Sequence, residues 1–457
     1  MSLAYRRIAI AGLGVSGQAV ATAAQKLGSN PTVFDEKPND SPRLIEAVDG
    51  LTAEGIEVVT SWHGRLDPSA FDLLVVSPGF PRDHPAVRDA LKGGRPVWSE
   101  VEFAYRIARA PILAITGTNG KSTTTVLLWS LLNGQGQRAW LCGNIAGSGY
   151  PEMPLTEAAL KAGPGEVLVA EVSSFQLEWV DEFRPRVATV TNVTPDHMDR
   201  HPTFEDYAAT KLRIFSKMTS EDTVVLNIDE ARPRVNEIPS GPTLLKVSPS
   251  GRHKGDGSTH RDGQILSFGP FVAPAEDLPL YGEHNIANAM VAWEMATRVV
   301  EPNPGMWEAL LAFKGLAHRM ERVGVRGQVT VVNNSMCTNP AALIASSRSL
   351  PGRQHLLVGG ETKGLEYSAV GDYLRESGHC VYVFGQGNEA LLETLNLAPP
   401  VYDSLEEAFS AAVSASRPGD TVLLAPGCAS SYPFTNFRER GDAFRALASV
   451  WIEGGSL

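Results

Sequence analysis

Short apolar segments alternate with amphipathic segments along most of this chain. The apolar segments are rich in Val, Ile or Leu and are followed by Gly, Ser, Thr, Asn or Pro. They are Arg7–Ala11, Asp72–Val76, Ile112–Thr116, Val167–Val172, Val187–Asn192, Thr223–Asn227, Val329–Asn333, His355–Gly359, Val381–Gly385 and Thr421–Ala425. Helical periodicity marks segments between them, as in Thr203–Lys217, Asn285–Val299 and Ser404–Ser416. Buried strands that alternate with helices predict an α/β fold with mostly parallel sheets.

Parallel sheets of this kind bind ligands beyond the carboxyl ends of their strands. The polar residues that end each apolar segment are therefore the candidates for chemistry. Domain breaks are predicted near Pro96–Ser99 and near Lys314–His318, because a new strand–loop–helix start follows the first and a helical segment precedes the second.

A glycine loop follows the apolar segment Ile112–Thr116. Glycines allow backbone N–H groups to turn toward phosphate oxygens, and a helix that begins at the end of the loop favours anions. Lys121 would supply a cation to the phosphates, and the Ser122 or Thr123 hydroxyl a ligand to Mg²⁺. The spacing is shorter than that of the common phosphate loop, since only two residues separate its glycines. The predicted ATP-binding residues here are Gly117, Thr118, Asn119, Gly120, Lys121, Ser122 and Thr123.

A second glycine loop lies near the start of the chain. The segment Ile8–Gly17 is a predicted strand followed by G-x-G-x-x-G, and Asp35 ends the next predicted strand. This pattern suits a diphosphate at a helix start, whether it belongs to NAD or to another nucleotide. An NAD-dependent dehydrogenase is therefore one hypothesis, although it leaves the ATP-type loop without a role.

Metal-binding candidates follow two further strands. Glu171 follows the predicted strand Val167–Ala170, and the end of a strand is a favourable place for a Mg²⁺ ligand in an ATP enzyme. His197 and His201 are spaced as on one helical face, but prolines frame them and the glutamate of the H-E-x-x-H zinc motif is absent. Zinc is therefore not expected.

Composition limits the function classes. The chain has 457 residues, of which 43% are hydrophobic and 20% charged, and its formal net charge is −11. These values are typical of a globular protein of several domains and argue against a nucleic-acid or anionic-membrane partner. The four cysteines form no CxxC pair, and we identify neither a signal peptide nor an apolar segment long enough to span a membrane. A cytoplasmic, monomeric protein is expected.

With these motifs in order, the chain resembles the Mur ligases, and especially the branch that adds glutamate to UDP-N-acetylmuramoyl-L-alanine. The resemblance extends over nearly the whole chain. Its matching segments are Gly117–Thr123, Glu171–Gln176, Asn192–His201, Lys211, Gly282–Asn288, Gly315–Arg319, Gly359–Gly364 and Pro426–Asn436.

The resemblance implies three domains. Residues 1–99 would form a Rossmann-like domain that binds the UDP-sugar, 100–315 a P-loop-type ATPase domain with a parallel sheet, and 316–457 a Rossmann-like domain that binds the incoming glutamate. The implied UDP-sugar contacts are Gly14, Val15, Ser16, Asp35, Glu36, Lys37, Ser77 and Gly79, with Asn144, Ser173 and Gln176 at the muramoyl part. The implied glutamate contacts are Thr338, Lys363, Ser430 and Phe437.

For ATP, the resemblance implies contacts of Asn285 and Asn288 near the adenine and of His318 and Arg319 at the phosphates. Two Mg²⁺ ions are implied, with Ser122, Glu171, His197 and a carbamylated Lys211 at the metal sites. The residues expected to act in catalysis are Lys121, Glu171, His197, Lys211 and Arg319.

The implied reaction makes an amide bond through an acyl phosphate. Counter-charges at the transferred phosphoryl group suit such chemistry, because its barrier falls mainly through positioning and electrostatic stabilisation. In many members of the family the third domain opens with Asp-Ser-Lys-Ala-Thr-Asn, whereas this chain has Asn334 and Met336 in place of the Asp and the Lys.

These two departures leave alternatives open. An L-glutamate-adding enzyme and a non-catalytic relative that binds UDP-sugar are both compatible with them. Folate polyglutamate ligases share the phosphate loop and the lysine chemistry, but the first glycine loop and the GEHNIAN and GCAS segments match the muramoyl ligases better.

Overall fold

The computed structural model describes residues 4–145, 148–198, 200–252, 256–261, 265–268, 270–274, 277–278, 282–362, 366–385, 389–395, 397–430 and 433–455. The chain divides into two compact units. The first comprises residues 1–146, 150–277 and 284–311, and the second comprises residues 147–149, 278–283 and 312–457. Each unit is built around its own sheets.

The first sheet of the first unit is wholly parallel, with strand order β3-β2-β1-β4-β5. Its strands are β1 Arg7–Ala11, β2 Asn30–Phe34, β3 Glu57–Val59, β4 Leu73–Val76 and β5 Val97–Ser99. Its helices are α1 Val15–Lys26, α2 Pro42–Ala53, α3 Pro85–Lys92 and α4 Glu100–Ile107. Ser41 and Ser99 cap α2 and α4 by accepting backbone N–H groups of the first turn. The order reverses beside β1, so the crevice lies at the carboxyl end of that strand.

The second sheet is also parallel, with strand order β11-β10-β9-β6-β8-β7. Its strands are β6 Ile112–Thr116, β7 Ala139–Gly143, β8 Val167–Glu171, β9 Val187–Val190, β10 Thr223–Asn227 and β11 Thr243–Val247. Its helices are α5 Lys121–Gln135, α6 Leu155–Lys161, α7 Ser174–Leu177 and α8 Phe204–Leu212, with single 3-10 turns at Arg213–Phe215 and Val235–Glu237. Strand β6 is central and fully buried, which places the loop after it in the middle of the sheet edge.

A small antiparallel sheet and two helices complete the first unit. The strands are β12 Thr259–Arg261, β13 Ile265–Phe268 and β14 Phe271–Pro274, and the helices are α9 Glu283–Ala296 and α10 Pro304–Leu311. Aromatic rings join them: Phe271 stacks on Trp307 at 5.5 Å between centroids, and Phe268 lies 5.2 Å from Trp293. Burial of these large rings fixes the hairpins on the helices.

The second unit holds a six-stranded sheet with order β15-β16-β20-β17-β18-β19, in which only β15 runs antiparallel to its neighbour. Its strands are β15 Glu321–Arg326, β16 Val329–Asn333, β17 Gln354–Val358, β18 Cys380–Phe384, β19 Val401–Tyr402 and β20 Thr421–Leu424. Its helices are α11 Pro340–Arg348, α12 Ser368–Ser377, α13 Glu389–Leu395, α14 Leu405–Ala415 and α15 Phe437–Ile452. Apolar clusters cover both faces of this sheet.

The predicted α/β class is confirmed, and each apolar segment identified from the sequence overlaps a strand of a predominantly parallel sheet. The three-stranded antiparallel sheet was not predicted. Within the described part of the chain, none of the helices combines the length and apolar character that a bilayer crossing requires.

Candidate functional site

The phosphate loop follows β6 and needs glycine at two positions. Gly117 and Gly120 have φ angles of 147° and 80°, where other residues are strained. A Cβ atom on Gly117 would lie 1.9 Å from Oγ1 of Thr191, and one on Gly120 would lie 2.5 Å from Oδ1 of Asn288. Helix α5 begins at Lys121 with no side-chain cap. Its first-turn N–H groups are therefore suited to bind an anion.

The segment that follows β9 holds this loop in place. Thr118 N donates to the Asn192 carbonyl at 2.9 Å, and Asn119 N donates to Asn192 Oδ1 at 3.0 Å. Thr191 Oγ1 donates to the Asn119 carbonyl at 2.6 Å. Lys121 Nζ lies along the loop and donates to the Thr118 carbonyl at 2.9 Å. The loop is thus shaped by the protein itself, which lowers the cost of ordering it around phosphates.

Helix α9 brings the two predicted adenine-side residues to the start of α5. Thr124 Oγ1 donates to Asn288 Oδ1 at 3.1 Å, and Asn288 Nδ2 donates to Asn285 Oδ1 at 3.0 Å. Both asparagines are buried. The structure therefore brings Asn285 and Asn288 together with the phosphate loop, although more than 160 residues separate them in sequence from Thr124.

Lys211 points from α8 into the phosphate loop. It is 2% exposed, its Nζ donates to the Gly117 carbonyl at 2.7 Å, and the same atom lies 4.5 Å from the ring centroid of Tyr207. Burial, followed by the positive charge of Lys121, lowers the pKa of Lys211 to about 7, while Asp196 and Glu171 act in the opposite direction. Near neutral pH, much of this amine is uncharged and nucleophilic.

Glu171 ends β8 directly beside β6 and β7. Its side chain is 2% exposed, and Asn144 Nδ2 donates to its Oε1 at 3.3 Å. Asn144 N also donates to the Glu171 carbonyl at 2.9 Å. The parallel register, in which Glu171 pairs with both Ile115 and Gly143, places these groups at one sheet edge.

The two histidines that the sequence spacing groups together both pack against Phe175, but they differ in exposure. His197 has a φ angle of 53° and a side chain that is 48% exposed, and its ring lies 5.0 Å from that of Phe175. His201 is fully buried, with Nε2 3.2 Å from Ser174 Oγ. Burial lowers the pKa of His201, so the neutral form is favoured. Only His197 is placed where it is accessible to a ligand.

The described side chains do not form a complete metal site by themselves. Across the residues that the structure describes, no group of three or more His, Cys, Asp or Glu side chains is arranged to hold an ion. Mg²⁺ is commonly bound by one or two carboxylates together with phosphate oxygens and water. The buried carboxylate of Glu171, which attracts the charge of Lys211, suits such a site.

Ser173 and Gln176 form the start of α7. Gln176 Oε1 accepts from Ser173 N at 2.9 Å and from Ser173 Oγ at 3.0 Å, while Gln176 N donates to Ser173 Oγ. Gln176 Nε2 lies 3.5 Å from Oε2 of Glu100, whose pKa is raised by burial. This capping box gives both residues a structural role. Their predicted contact with the muramoyl substrate remains a prediction.

The first glycine loop closes on the end of β2. Leu13 N donates to Asp35 Oδ2 at 2.8 Å, and Lys37 N donates to Asp35 Oδ1 at 2.9 Å. A Cβ atom on Gly12 would lie 2.6 Å from Ser77 Oγ, so β4 approaches the loop closely. The predicted residues Gly14, Val15, Ser16, Asp35, Glu36, Lys37, Ser77 and Gly79 all lie just beyond the carboxyl ends of β1, β2 and β4. The sequence did not identify His84, whose Nε2 lies 3.3 Å from Glu36 Oε1.

In the second unit, His318 is buried next to the loop after β16. It has a φ angle of 61°, and its Nδ1 lies 3.2 Å from Asn333 Nδ2, while Nε2 lies 3.5 Å from Asp442 Oδ1. Burial lowers the pKa of His318. Arg319 follows it and forms a short β-bridge with Leu316. The buried position indicates that His318 orients this segment.

A buried arginine that the sequence did not single out gathers the predicted glutamate-binding segments. Arg440 is 1% exposed, and its guanidinium donates to carbonyl oxygens of Ser335, Gly359, Cys428 and Ala429. Burial lowers its pKa to about 10. Its partners lie beside Thr338, which is half-buried, and Ser430, which is buried.

Of the two remaining residues of the predicted glutamate site, the structure describes Phe437 but not Lys363. The Phe437 carbonyl accepts a hydrogen bond from Ser335 Oγ at 2.7 Å, so the start of α15 adjoins the loop after β16. Lys363 lies outside the described residues.

The side chain of Asn334 forms hydrogen bonds within the protein at both its nitrogen and its oxygen. Its Nδ2 donates to Ser346 Oγ at 2.6 Å, and its Oδ1 accepts from Met320 N at 3.2 Å. A carboxylate at this position could not donate to Ser346 Oγ, whose own proton goes to the Ala342 carbonyl at 2.6 Å. The replacement of the usual Asp by Asn therefore suits the local hydrogen bonding.

Three family models match the chain. The model described as "Mur ligase MurD-like, N-terminal domain" matches residues 6–99, "Mur ligase middle domain" matches residues 115–296, and "Mur ligase, glutamate ligase domain" matches residues 318–428.

Curated proteins match over nearly their full length. The UDP-N-acetylmuramoylalanine–D-glutamate ligase of Caldanaerobacter subterraneus is 38% identical, with 97% of this chain and 98% of that protein covered. The proteins of the same name from Pelotomaculum thermopropionicum and Lactococcus lactis are 36% and 37% identical, with coverage of 97% and 96% of both chains respectively.

Solved structures share the fold. MurF from Acinetobacter baumannii matches with a TM-score of 0.58 and 17% identity, over 93% of this chain and 91% of that chain. The UDP-N-acetylmuramate–alanine ligase MurC from Thermotoga maritima matches with a TM-score of 0.55 and 16% identity, over 97% and 100%.

Proposed function

The chain belongs to the Mur ligase family, and from this premise we propose that it joins D-glutamate to UDP-N-acetylmuramoyl-L-alanine with conversion of ATP to ADP and phosphate. It is an ATP-dependent ligase of peptidoglycan-precursor synthesis, a family that uses ATP and Mg²⁺. Family membership removes the dehydrogenase hypothesis. The first glycine loop then serves a UDP diphosphate.

The single observation that carries the proposal is the pairing of Lys211 with the phosphate loop. Lys211 is a buried lysine with a pKa of about 7, and its amine is hydrogen-bonded to the first residue of the phosphate loop, Gly117. Its uncharged form can react with CO₂, with formation of an N–C bond and release of one proton, to give a carbamate. That change converts an uncharged amine near Lys121 into an anion and adds an oxygen donor near Glu171.

We propose that Ser122, Glu171, His197 and carbamylated Lys211 hold two Mg²⁺ ions. When bound, the ions neutralise charge on the transferred phosphoryl group. Lys121, which lies along the phosphate loop, orients the phosphates, and Arg319 adds a second cation. The backbone N–H groups at the start of α5 hold the phosphate oxygens.

The proposed reaction has two steps. The alanyl carboxylate accepts the γ-phosphoryl group of ATP, which forms an acyl phosphate and leaves ADP. The amine of glutamate then attacks the acyl carbon, and inorganic phosphate and a proton leave. Exclusion of water protects the acyl phosphate, because hydrolysis competes with the amine.

Each domain has one role in this proposal. Residues 1–99 bind the UDP-sugar, residues 100–315 bind ATP and Mg²⁺, and residues 316–457 bind glutamate through Thr338, Lys363, Ser430 and Phe437. Arg440 supports the glutamate site by holding its loops through their carbonyl groups. A monomeric enzyme in the cytoplasm is part of the same proposal.

The experiment is ATP-dependent release of phosphate with UDP-N-acetylmuramoyl-L-alanine and D-glutamate, L-glutamate or no amino acid. We expect release that depends on D-glutamate. Release with L-glutamate alone would keep the mechanism and change the substrate. The absence of phosphate release with both amino acids would overturn the proposed function.

A further inference from the structure

The carboxylate of Glu178 lies buried where three segments of the first unit meet. Its side chain is 0% exposed, and Arg200 binds it at both oxygens, with Nε 3.0 Å from Oε1. Arg82 Nε lies 3.4 Å from the same Oε1. A buried carboxylate is tolerated only when it is paired and hydrogen-bonded, and two guanidinium groups provide that pairing here.

The two arginines come from the loops that carry the two ends of the proposed site. Arg82 lies on the loop that leaves β4 after Gly79, next to the predicted diphosphate contacts. Arg200 lies on the segment that carries His197, whose carbonyl accepts Arg200 N at 3.0 Å.

Each arginine also contacts the other side directly. Arg200 donates to the Phe80 carbonyl, on the loop after β4. Arg82 Nη2 donates to Thr210 Oγ1 at 3.0 Å, and Thr210 immediately precedes Lys211 on α8. The loop proposed to bind the UDP diphosphate is therefore joined to two of the four segments that carry proposed metal ligands, those of His197 and Lys211.

This junction matters because the substrate is long and must be held at both ends. The diphosphate would bind beyond β1 and β4, while the alanyl carboxylate must meet the γ-phosphate beyond β6. Reaction rates are sensitive to such registration, since a misplacement of about 1 Å can cost on the order of 100-fold.

We propose that Arg82, Glu178 and Arg200 are positioning residues that fix the UDP-diphosphate loop relative to the metal-binding side chains. The inference rests on the proposed function and deepens it. Arg82 has a side chain that is 41% exposed, so water screens its charge and weakens the effect of its removal on stability. Glu178 also keeps Arg200 as a partner when Arg82 is removed. Arg82 is thus placed to act on geometry rather than on folding.

The test compares Arg82→Met with Arg88→Met, which changes an exposed arginine on the adjacent helix α3. For both variants we would measure kcat, the KM values, the melting temperature, and the separate affinities for UDP and a non-hydrolysable ATP analogue by calorimetry. We expect kcat of Arg82→Met to fall at least about 10-fold, with each ligand affinity within about 2-fold and no loss of melting temperature. Arg82→Lys should recover part of the loss.

Equal kcat values for the two methionine variants would overturn the inference. So would a fall in kcat that comes with an equal loss of UDP affinity, because Arg82 would then contact the ligand rather than position the loop.

Glu178→Gln supplies an independent variant that keeps the side-chain shape and removes the charge. If Arg82 acts through Glu178, the double variant should be no slower than the slower single variant. Losses of kcat that add in the double variant would show that Arg82 does not act through Glu178. A wild-type enzyme that is silent in the phosphate-release assay overturns the proposed function, and this inference with it, whereas failure of this inference alone leaves the wild type active.

Discussion

Nζ of Lys211 donates a hydrogen bond to the carbonyl oxygen of Gly117 at 2.7 Å, which joins helix α8 to the first residue of the phosphate loop. Gly117 has a φ angle of 147°, a backbone conformation that residues with a Cβ atom adopt only with strain. The phosphate loop and Lys211, the residue proposed to carry a carbamate, are thus joined by a hydrogen bond. A change at either residue should disturb both ATP binding and metal binding.

Lys211→Ala should be nearly inactive, because it removes the amine that carries the proposed carbamate. Formate or acetate should restore part of the activity by supplying a carboxylate oxygen in the space left behind. Phosphate release at increasing formate concentration measures this. Lys217→Ala is the matched control, since Lys217 is exposed and pairs with Glu182. Full activity of Lys211→Ala without formate would contradict the carbamate.

Lys211→Met should make the protein more stable in CO₂-free buffer, and most clearly at low pH. The folded protein holds the pKa of Lys211 at about 7, below the ordinary value of 10.5, so the unfolded chain binds more protons between these pH values. The wild-type free energy of unfolding therefore rises with pH over this interval through this group.

Methionine does not titrate, so the free energy of unfolding of Lys211→Met lacks this dependence on pH. We expect its advantage in unfolding free energy to be a few kcal/mol at pH 6 and to shrink by pH 9. Denaturant titrations at both pH values check this. An advantage that grew with pH would show that the amine is not destabilised by burial.

Gly120→Ala should abolish ATP binding, since the new Cβ would lie 2.5 Å from Asn288 Oδ1 and the φ angle of 80° is strained for alanine. Gly136→Ala is the matched control at the other end of α5, where φ is 98° but no atom of the described residues lies within 4 Å of the new Cβ. The control should cost about 1 kcal/mol and retain activity. Calorimetry with an ATP analogue and thermal melts separate the two effects. Equal nucleotide affinities would remove the assigned role of Gly120.

Asn334→Asp combined with Met336→Lys should preserve D-glutamate-dependent turnover and change mainly the KM for ATP. Asn334 contacts Ser346 and Met320 in a buried hydrogen-bond network, so the restored carboxylate lies inside the domain. Kinetics with D- and L-glutamate measure the outcome. A shift in preference between the two enantiomers would instead place this pair at the amino-acid site.

The sequence by itself determined the parallel strands that its apolar segments mark, and the phosphate loop, but not the antiparallel sheet of β12–β14. The bounds predicted for β1, β6, β10 and β16 coincide with the observed ones. A buried parallel strand is a continuous apolar segment, and a glycine with a positive φ angle is marked by its own residue type, so both signals are local. The same locality explains why the residue pattern alone points to Gly117 and Gly120.

Only the tertiary structure decided the electrostatics and the connections between segments. The pKa of Lys211 depends on burial and on Lys121, and the contacts of Glu178 and Arg440 join residues that are far apart in sequence. From the local residue pattern alone, Lys211, Glu178 and Arg440 would each be predicted to be an ordinary solvent-exposed charged side chain. Desolvation and long-range pairing depend on which segments pack together, and no local pattern of residues records that.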